Sequence, residues 1–159
     1  MDRSRQPFAS SAAVRTKMQR QRSRDTAAEV ALRRLLHSRG LRYRVHQRPL
    51  PELRRIADLV FRPARVAVFV DGCFWHGCPD HGQREYRVNT WYWPEKIERN
   101  RRRDAETTTL LAAAGWQVIR VWEHERPEDA ADRIGAALAA RRSPAAPPRT
   151  PPTPPTPAQ

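Results

Sequence analysis

The sequence predicts an α/β domain: a mixed β-sheet with helices packed against it. Three observations lead there. Short apolar runs at 56–61 (IADLVF), 65–70 (RVAVFV) and 116–122 (WQVIRVW) have the length and residue types of strands. A long helical stretch lies between the second run and the third. Helical segments also stand before the first run and after the last.

The elements follow in order. Asp25-Thr26 opens a helix, with Glu29 three residues after Thr26 as a capping box requires. Val30, Leu32, Leu35 and Leu36 give that helix an apolar face, and Gly40 ends it. Apolar and basic residues then alternate from Leu41 to Val45, which predicts a strand. The runs 56–61 and 65–70 are joined by Arg62-Pro63-Ala64 and are expected to pair antiparallel. A helix is expected from near Pro94, where proline is tolerated in the first turn, to Gly115. A last helix is expected over about 127–140, with Ile134, Ala137 and Leu138 on one face.

A chain of 159 residues favours one domain, here placed at 23–142. Residues 1–22 are rich in Arg, Ser and Gln without apolar periodicity, and are read as a basic arm, disordered when free. Residues 143–159 are Pro-rich and are read as a disordered tail. No run has the length of a membrane span, and no apolar signal core opens the chain, so an intracellular, cytoplasmic protein is expected. The formal charge of +13 and pI of about 11.4 point to an anionic polymer, nucleic acid above all, as partner. A solvated basic surface is the plainer explanation of the same charge. Two cysteines in such a chain do not suggest a disulfide framework.

The segment DGCFWHGCPDH (71–81) concentrates the chemistry. Cys73, Cys78, His81 and His124 are a candidate tetrahedral Zn²⁺ set, with Asp80 as a weaker alternative to His81. Two free cysteines and two surface histidines would be the plain reading. Asp58 interrupts an apolar strand, and Asp71 ends the neighbouring one. With Glu29 they offer hard oxygen ligands of the kind Mg²⁺ takes. His76 is the histidine left over, placed to accept a proton from water with a carboxylate orienting its ring. A helix Glu, a strand Asp and a strand-end acid resemble the layout of restriction-type nucleases. The lysine usual two residues past the second acid is Cys73 here. The adjacent Phe74 and Trp75, and the cluster Trp91, Tyr92 and Trp93, are either a minor core or wedges that enter a base stack.

Five blocks then carry a closer resemblance: RSRDTAAEVALRRLLHSRGLRYRVH, ADLVF, VFVDGCFWHGC, WYWPEKIERNRRRD and GWQVIRVWEHE. Together, over about residues 15–126, they resemble the very-short-patch mismatch repair endonucleases. The resemblance implies a restriction-endonuclease-like core, a structural Zn²⁺ and catalytic Mg²⁺. It implies a nick 5′ to the T of a T:G mismatch, the product of 5-methylcytosine deamination. It also implies a monomer that works in the bacterial cytoplasm on double-stranded DNA, alongside a DNA cytosine-5 methyltransferase and repair factors, with no membrane partner.

By position, Asp58 matches the family's metal-binding aspartate, Val70 a backbone-carbonyl ligand, His76 the catalytic histidine and Glu29 the acid paired with it. Phe74, Trp75 and Trp93 match intercalating aromatics, and Asn100 a position implicated in mismatch recognition. Two departures stand out. Asp71 replaces a second active-site histidine, and so becomes a candidate Mg²⁺ ligand. Cys78 and His124 exchange Cys for His relative to the family's zinc set. Arg-rich surfaces at 15–24 and 99–103, including Lys17, Arg24, Arg101 and Arg102, are expected to hold phosphates. Two rivals remain. One is a non-catalytic zinc-containing DNA-binding protein. The other is a restriction or RNA-processing nuclease on the same fold.

Overall fold

The computed structural model describes residues 24–82 and 89–142. The expected arm at 1–22, with Lys17, and the expected tail at 143–159 lie outside the described residues.

Helix α1 spans Ala27–Ser38. The Thr26 hydroxyl accepts from Glu29 N at 3.3 Å, and Glu29 reaches back to the Asp25 N–H at 3.0 Å. Two donors at the helix start, which have no partner within the helix, are thus satisfied by the expected Thr-x-x-Glu pattern. At the other end Gly40 takes φ +78°, Gly40 N donates to His37 O and Leu41 N to Leu36 O, a Schellman closure. That closure occupies Leu41, so strand β1 runs Arg44–Gln47 rather than from Leu41. Tyr43, expected in the strand, instead packs toward the core and its hydroxyl donates to Arg33 O at 2.7 Å.

Strands β2 (Ala57–Phe61) and β3 (Val66–Asp71) pair antiparallel through the expected turn, and β2 also pairs antiparallel with β1. A single helical turn, α2, follows at Cys73–His76. Gly77 closes it at φ +62°, and a Cβ there would fall 2.8 Å from Ile97 Cγ2, so only glycine fits. Helix α3 (Tyr92–Ala113) starts just before Pro94 and ends with Gly115 at φ +79°. It carries the chain to β4 (Gln117–Trp122), which pairs parallel with β3 from Val66↔Gln117 to Asp71↔Trp122. Helix α4 (Pro127–Arg142) closes the described chain.

The sheet order is β1-β2-β3-β4 with one parallel pair, so it is mixed, as expected. Leu32 and Leu36 of α1 and Ile134 and Leu138 of α4 meet Leu59, Val66, Val68, Ile119 and Val121 on one face. Val60, Ala67 and Phe69 meet Leu111 of α3 and Trp116 on the other. Burying each such aliphatic side chain stabilises the fold by about 1.5–3 kcal/mol. Helices on both faces of a four-stranded mixed sheet fit a restriction-endonuclease-like core. No helix among the described residues is long and apolar enough to cross a membrane.

Candidate active site and metal centre

Alternation along β3 sends Ala67, Phe69 and Asp71 toward α3, so the C-terminal end of this face changes from apolar to charged. A cleft of about 570 Å³ opens there, lined by Glu29, Asp58, Asp71, His76, Asp104 and Arg120 among others.

Asp58 sits where β2 and β3 part. The ladder pairs run from Phe61↔Val66 to Leu59↔Val68, and beyond them Asp58 Oδ2 accepts from Val70 N at 2.7 Å. His46 Nδ1 lies 4.0 Å from Asp58 Oδ1. Burial pushes the Asp58 carboxyl up to about 6, against the Val70 hydrogen bond and with the help of repulsion from Glu29 and Asp71. None of the ion pairs among the described residues brings Lys or Arg to Asp58. A desolvated carboxylate near two others, with no fixed cation of its own, suits a divalent cation.

Asp71 is buried and differently placed. Arg120 Nη1 donates to its Oδ1 at 2.8 Å and its Oδ2 at 2.7 Å. Arg120 Nη2 lies 3.2 Å from Asp104 Oδ1, and the guanidinium sits 5.0 Å from the Phe69 ring centroid. His76 Nδ1 is 2.5 Å from Asp104 Oδ2 and 3.6 Å from Asp71 Oδ1. Burial alone would raise the Asp104 carboxyl, but the His76 hydrogen bond and the Arg120 charge outweigh it and hold it below the ordinary value.

Two expectations need correction. Glu29 does not orient His76. Its Oε1 accepts from Thr26 Oγ1 and its Oε2 from Asp25 N, with Arg33 Nη2 3.4 Å from Oε2, because it is the acid of the α1 cap. Asp104, one turn after Asn100 on α3, takes that place. Asp71 is not an open carboxylate beside Asp58, since Arg120 occupies both its oxygens. The sequence reading missed Asp104, Arg120 and His46. Arg120 had a usable signal: it is the one charged residue inside β4, as Asp58 is inside β2. Asp104 was hidden at the end of an arginine run.

The cysteines and histidines converge as expected. Donor atoms of Cys73, Cys78, His81 and His124 all lie within 4.8 Å of one another. His124 Nδ1 is 3.0 Å from Cys73 Sγ and 3.8 Å from Cys78 Sγ, and the His81 and His124 rings are 4.2 Å apart. Asp80 approaches the opposite nitrogen of His124, with Oδ2 3.9 Å from Nε2, which favours His81 as the fourth donor. Both thiols are buried, unbridged and face one imidazole; this donor set fits Zn²⁺. Glu123 Oε1 accepts from Cys73 N at 2.7 Å and ties the turn to the end of β4.

The turn α2 lies beside α3, where Asn100 donates to Trp75 O. There Phe74, Trp75 and Trp93 form a three-ring cluster with centroids 5.0–5.8 Å apart in edge contacts. Asn100, expected to read the mismatch, is buried and donates to Trp75 O at 2.8 Å. In this arrangement its amide fixes the backbone of the aromatic turn and is not presented to a base. Arg101 donates to Gly77 O at 2.8 Å, while Arg24 and Arg102 are exposed.

Comparison with known proteins agrees with this architecture. The model of the family "DNA mismatch endonuclease Vsr" matches residues 9–83. Type II nicking enzyme V.NaeI of Lentzea aerocolonigenes is 48% identical over 115 residues, covering 71% of this chain and 69% of that protein. The chain belongs to the Vsr family. Type II nicking enzyme V.XorIIP of Xanthomonas oryzae is 46% identical over 113 residues, covering 68% and 77%. DNA mismatch endonuclease Vsr of Escherichia coli K12 is 38% identical over 101 residues, covering 64% and 63%. The family match takes in Glu29, Asp58, Asp71, His76 and both cysteines, whereas Asp104, Arg120 and His124 lie C-terminal to it.

Proposed function

We propose that this Vsr-family protein is a Mg²⁺-dependent, strand-specific DNA endonuclease that nicks 5′ to the T of a T:G mismatch. The observation that carries the reading is Asp58: a half-buried carboxylate lining the cleft, raised to about 6 and matched by no fixed cation among the described residues. Carboxylates facing a polyanion need a cation between them and the phosphates. Relatives named as nicking enzymes support cleavage of one strand.

Asp58 and the backbone carbonyl of Val70 would hold Mg²⁺. Bound there, the ion supplies Lewis-acid stabilisation of charge on the scissile phosphate. His76 receives the proton from the attacking water at Nε2 while Asp104 holds Nδ1–H. The attack is in line and leaves 5′-phosphate and 3′-hydroxyl ends. Phe74, Trp75 and Trp93 enter the stack beside the mismatch, and Arg24, Arg101, Arg102 and Lys17 hold backbone phosphates. Cys73, Cys78, His81 and His124 hold Zn²⁺, whose role is to pin α2 against the end of β4. Double-stranded DNA is the partner, bound by a monomer, in a repair route fed by a cytosine-5 methyltransferase.

The test is a labelled duplex with one T:G mismatch in several flanking contexts, beside a T:A control, with and without Mg²⁺. The expected result is a Mg²⁺-dependent nick in the T strand of the mismatched duplex alone. Asp58→Ala should abolish the nick and keep mismatch binding. Tight binding with no nick in any context would support a non-catalytic zinc-containing DNA-binding protein instead. Cleavage of matched DNA or of RNA would point to a different nuclease on this fold.

A further inference from the structure

Arg120 is the cation inside the cleft whose partners are both carboxylates. Its Nη1 spans the two oxygens of Asp71 at 2.8 and 2.7 Å. Its Nη2 lies 3.2 Å from Asp104 Oδ1 and 3.4 Å from the Asp104 carbonyl. Its Nε is buried without a hydrogen-bond partner. The two ends of the fork are thus committed to the acids, and the remaining donor, Nε, is buried away from a DNA phosphate. These same acids converge on one atom: His76 Nδ1 is 2.5 Å from Asp104 Oδ2 and 3.6 Å from Asp71 Oδ1. A neutral imidazole with Nε2 as acceptor has a single N–H to donate. Two acceptors therefore compete for it.

We propose that Arg120 is a positioning residue that settles this competition: it holds Asp71 from the strand side, leaves Asp104 as the acceptor of His76 Nδ1–H, and so keeps Nε2 available to the cleft. The inference rests on the reading of His76 as proton acceptor. The planar fork matters as much as the charge. One guanidinium reaches Asp71 and Asp104 together and lies 5.0 Å from the Phe69 ring centroid, which a lysine ammonium cannot reproduce as a point charge. An unpaired carboxylate at Asp71 would draw His76 away from Asp104; paired with Arg120 it cannot.

The experiment has two readouts. Single-turnover nicking of the T:G duplex at saturating protein should slow about 100-fold in Arg120→Gln, the order expected when a reacting group is misplaced. Duplex affinity without Mg²⁺ should be little changed. In the double variant Arg120→Gln/Asp71→Asn the competing carboxylate is gone, and at least about tenfold of the lost rate should return, the coupling expected of neighbours in one network. Arg120→Lys should lose about tenfold, and is read in the same way should the Gln variant not fold. Independently of activity, ¹⁵N-histidine NMR at one fixed pH should show His76 as the Nδ1–H tautomer in the wild type and a changed state in Arg120→Gln. A double variant no faster than Arg120→Gln, or an unchanged His76 signal, would overturn the proposal. A wild-type protein that leaves the T:G duplex intact would instead overturn the functional reading, and the NMR result would still decide the role of Arg120.

Discussion

On one face of the sheet, Leu59, Val66, Val68, Ile119 and Val121 meet α1 and α4 in a continuous apolar layer. On the other, Ala67 and Phe69 meet Leu111 of α3 in the same way, and the strand ends then turn charged with Asp71 and Arg120, met by Asp104 of α3 and His76 of α2. Both faces come from one period of two along β3 and β4. The first face is built for burial. The second gives up its last apolar positions to groups that are costly to bury unless each finds a partner. Asp71, Asp104, Arg120 and His76 pair with one another, with Arg120 Nε alone of their buried donors left unpartnered. Asp58, at the same end of the sheet, has a backbone N–H and a histidine at 4.0 Å, and its carboxyl is pushed up to about 6. The difference between the faces is the difference between a region that stabilises the fold and one that holds a carboxylate whose charge is disfavoured by burial and by its acidic neighbours.

Three substitutions would break or sharpen that contrast. The largest effect on stability belongs to the apolar face. Leu36→Ala, at a fully buried position, should destabilise the protein by about 2–5 kcal/mol in urea unfolding. Nicking per folded molecule should be unchanged; a loss of nicking in proportion to stability would mean that the two faces are not separable.

Asp58→Asn should act in the opposite sense. The folded carboxyl titrates near 6 and its ordinary value is 3.8, so the folded state binds this proton more tightly than the unfolded state does. Stability therefore falls as pH rises between about 4 and 6, and the penalty is full above that window. Without added Mg²⁺ at pH 8, Asp58→Asn should stabilise by roughly 1–3 kcal/mol, the scale of a shift of this size. The gain should vanish below about pH 4, and nicking should be lost. Equal stability of the two proteins at pH 8 would remove the case for a strained cation site.

The smallest effect is expected at the rim of the apolar face. Arg39 pairs with Asp132 at 2.6 Å across α1 and α4, but both are solvent-exposed. Arg39→Ala should shift the unfolding midpoint by the equivalent of less than about 1 kcal/mol and leave nicking unaltered.

Much of this was legible in the residues. Thr26 and Glu29 announced the start of α1, and Gly40 and Gly115 marked the ends of helices α1 and α3, where the backbone turns left-handed. Asp58 was visible because a lone acid breaks an apolar strand, and the Cys–His set because both cysteines share one short segment with His81. Glu29 shows the limit of such reasoning. Its capping role and its supposed role beside His76 draw on the same two oxygens, and only the first is local in sequence. Asn100 shows it again: an amide on an arginine-rich helix suggests contact with DNA, yet it is buried on the Trp75 carbonyl.

The sequence by itself determined the order of the main elements, the alternation that divides the sheet into two faces, and the donor types a metal ion could meet. These follow from periodicity, caps and side-chain chemistry, all carried within a few residues. Tertiary structure alone decided which acid meets which base. His76 and Asp104 are 28 residues apart, and Asp71 and Arg120 are 49 apart. Their pairing depends on how β4 lies parallel to β3 and on which turn of α3 passes over the strand ends. That arrangement is set by the packing of Leu111, Trp116 and Phe69, and no local pattern records it.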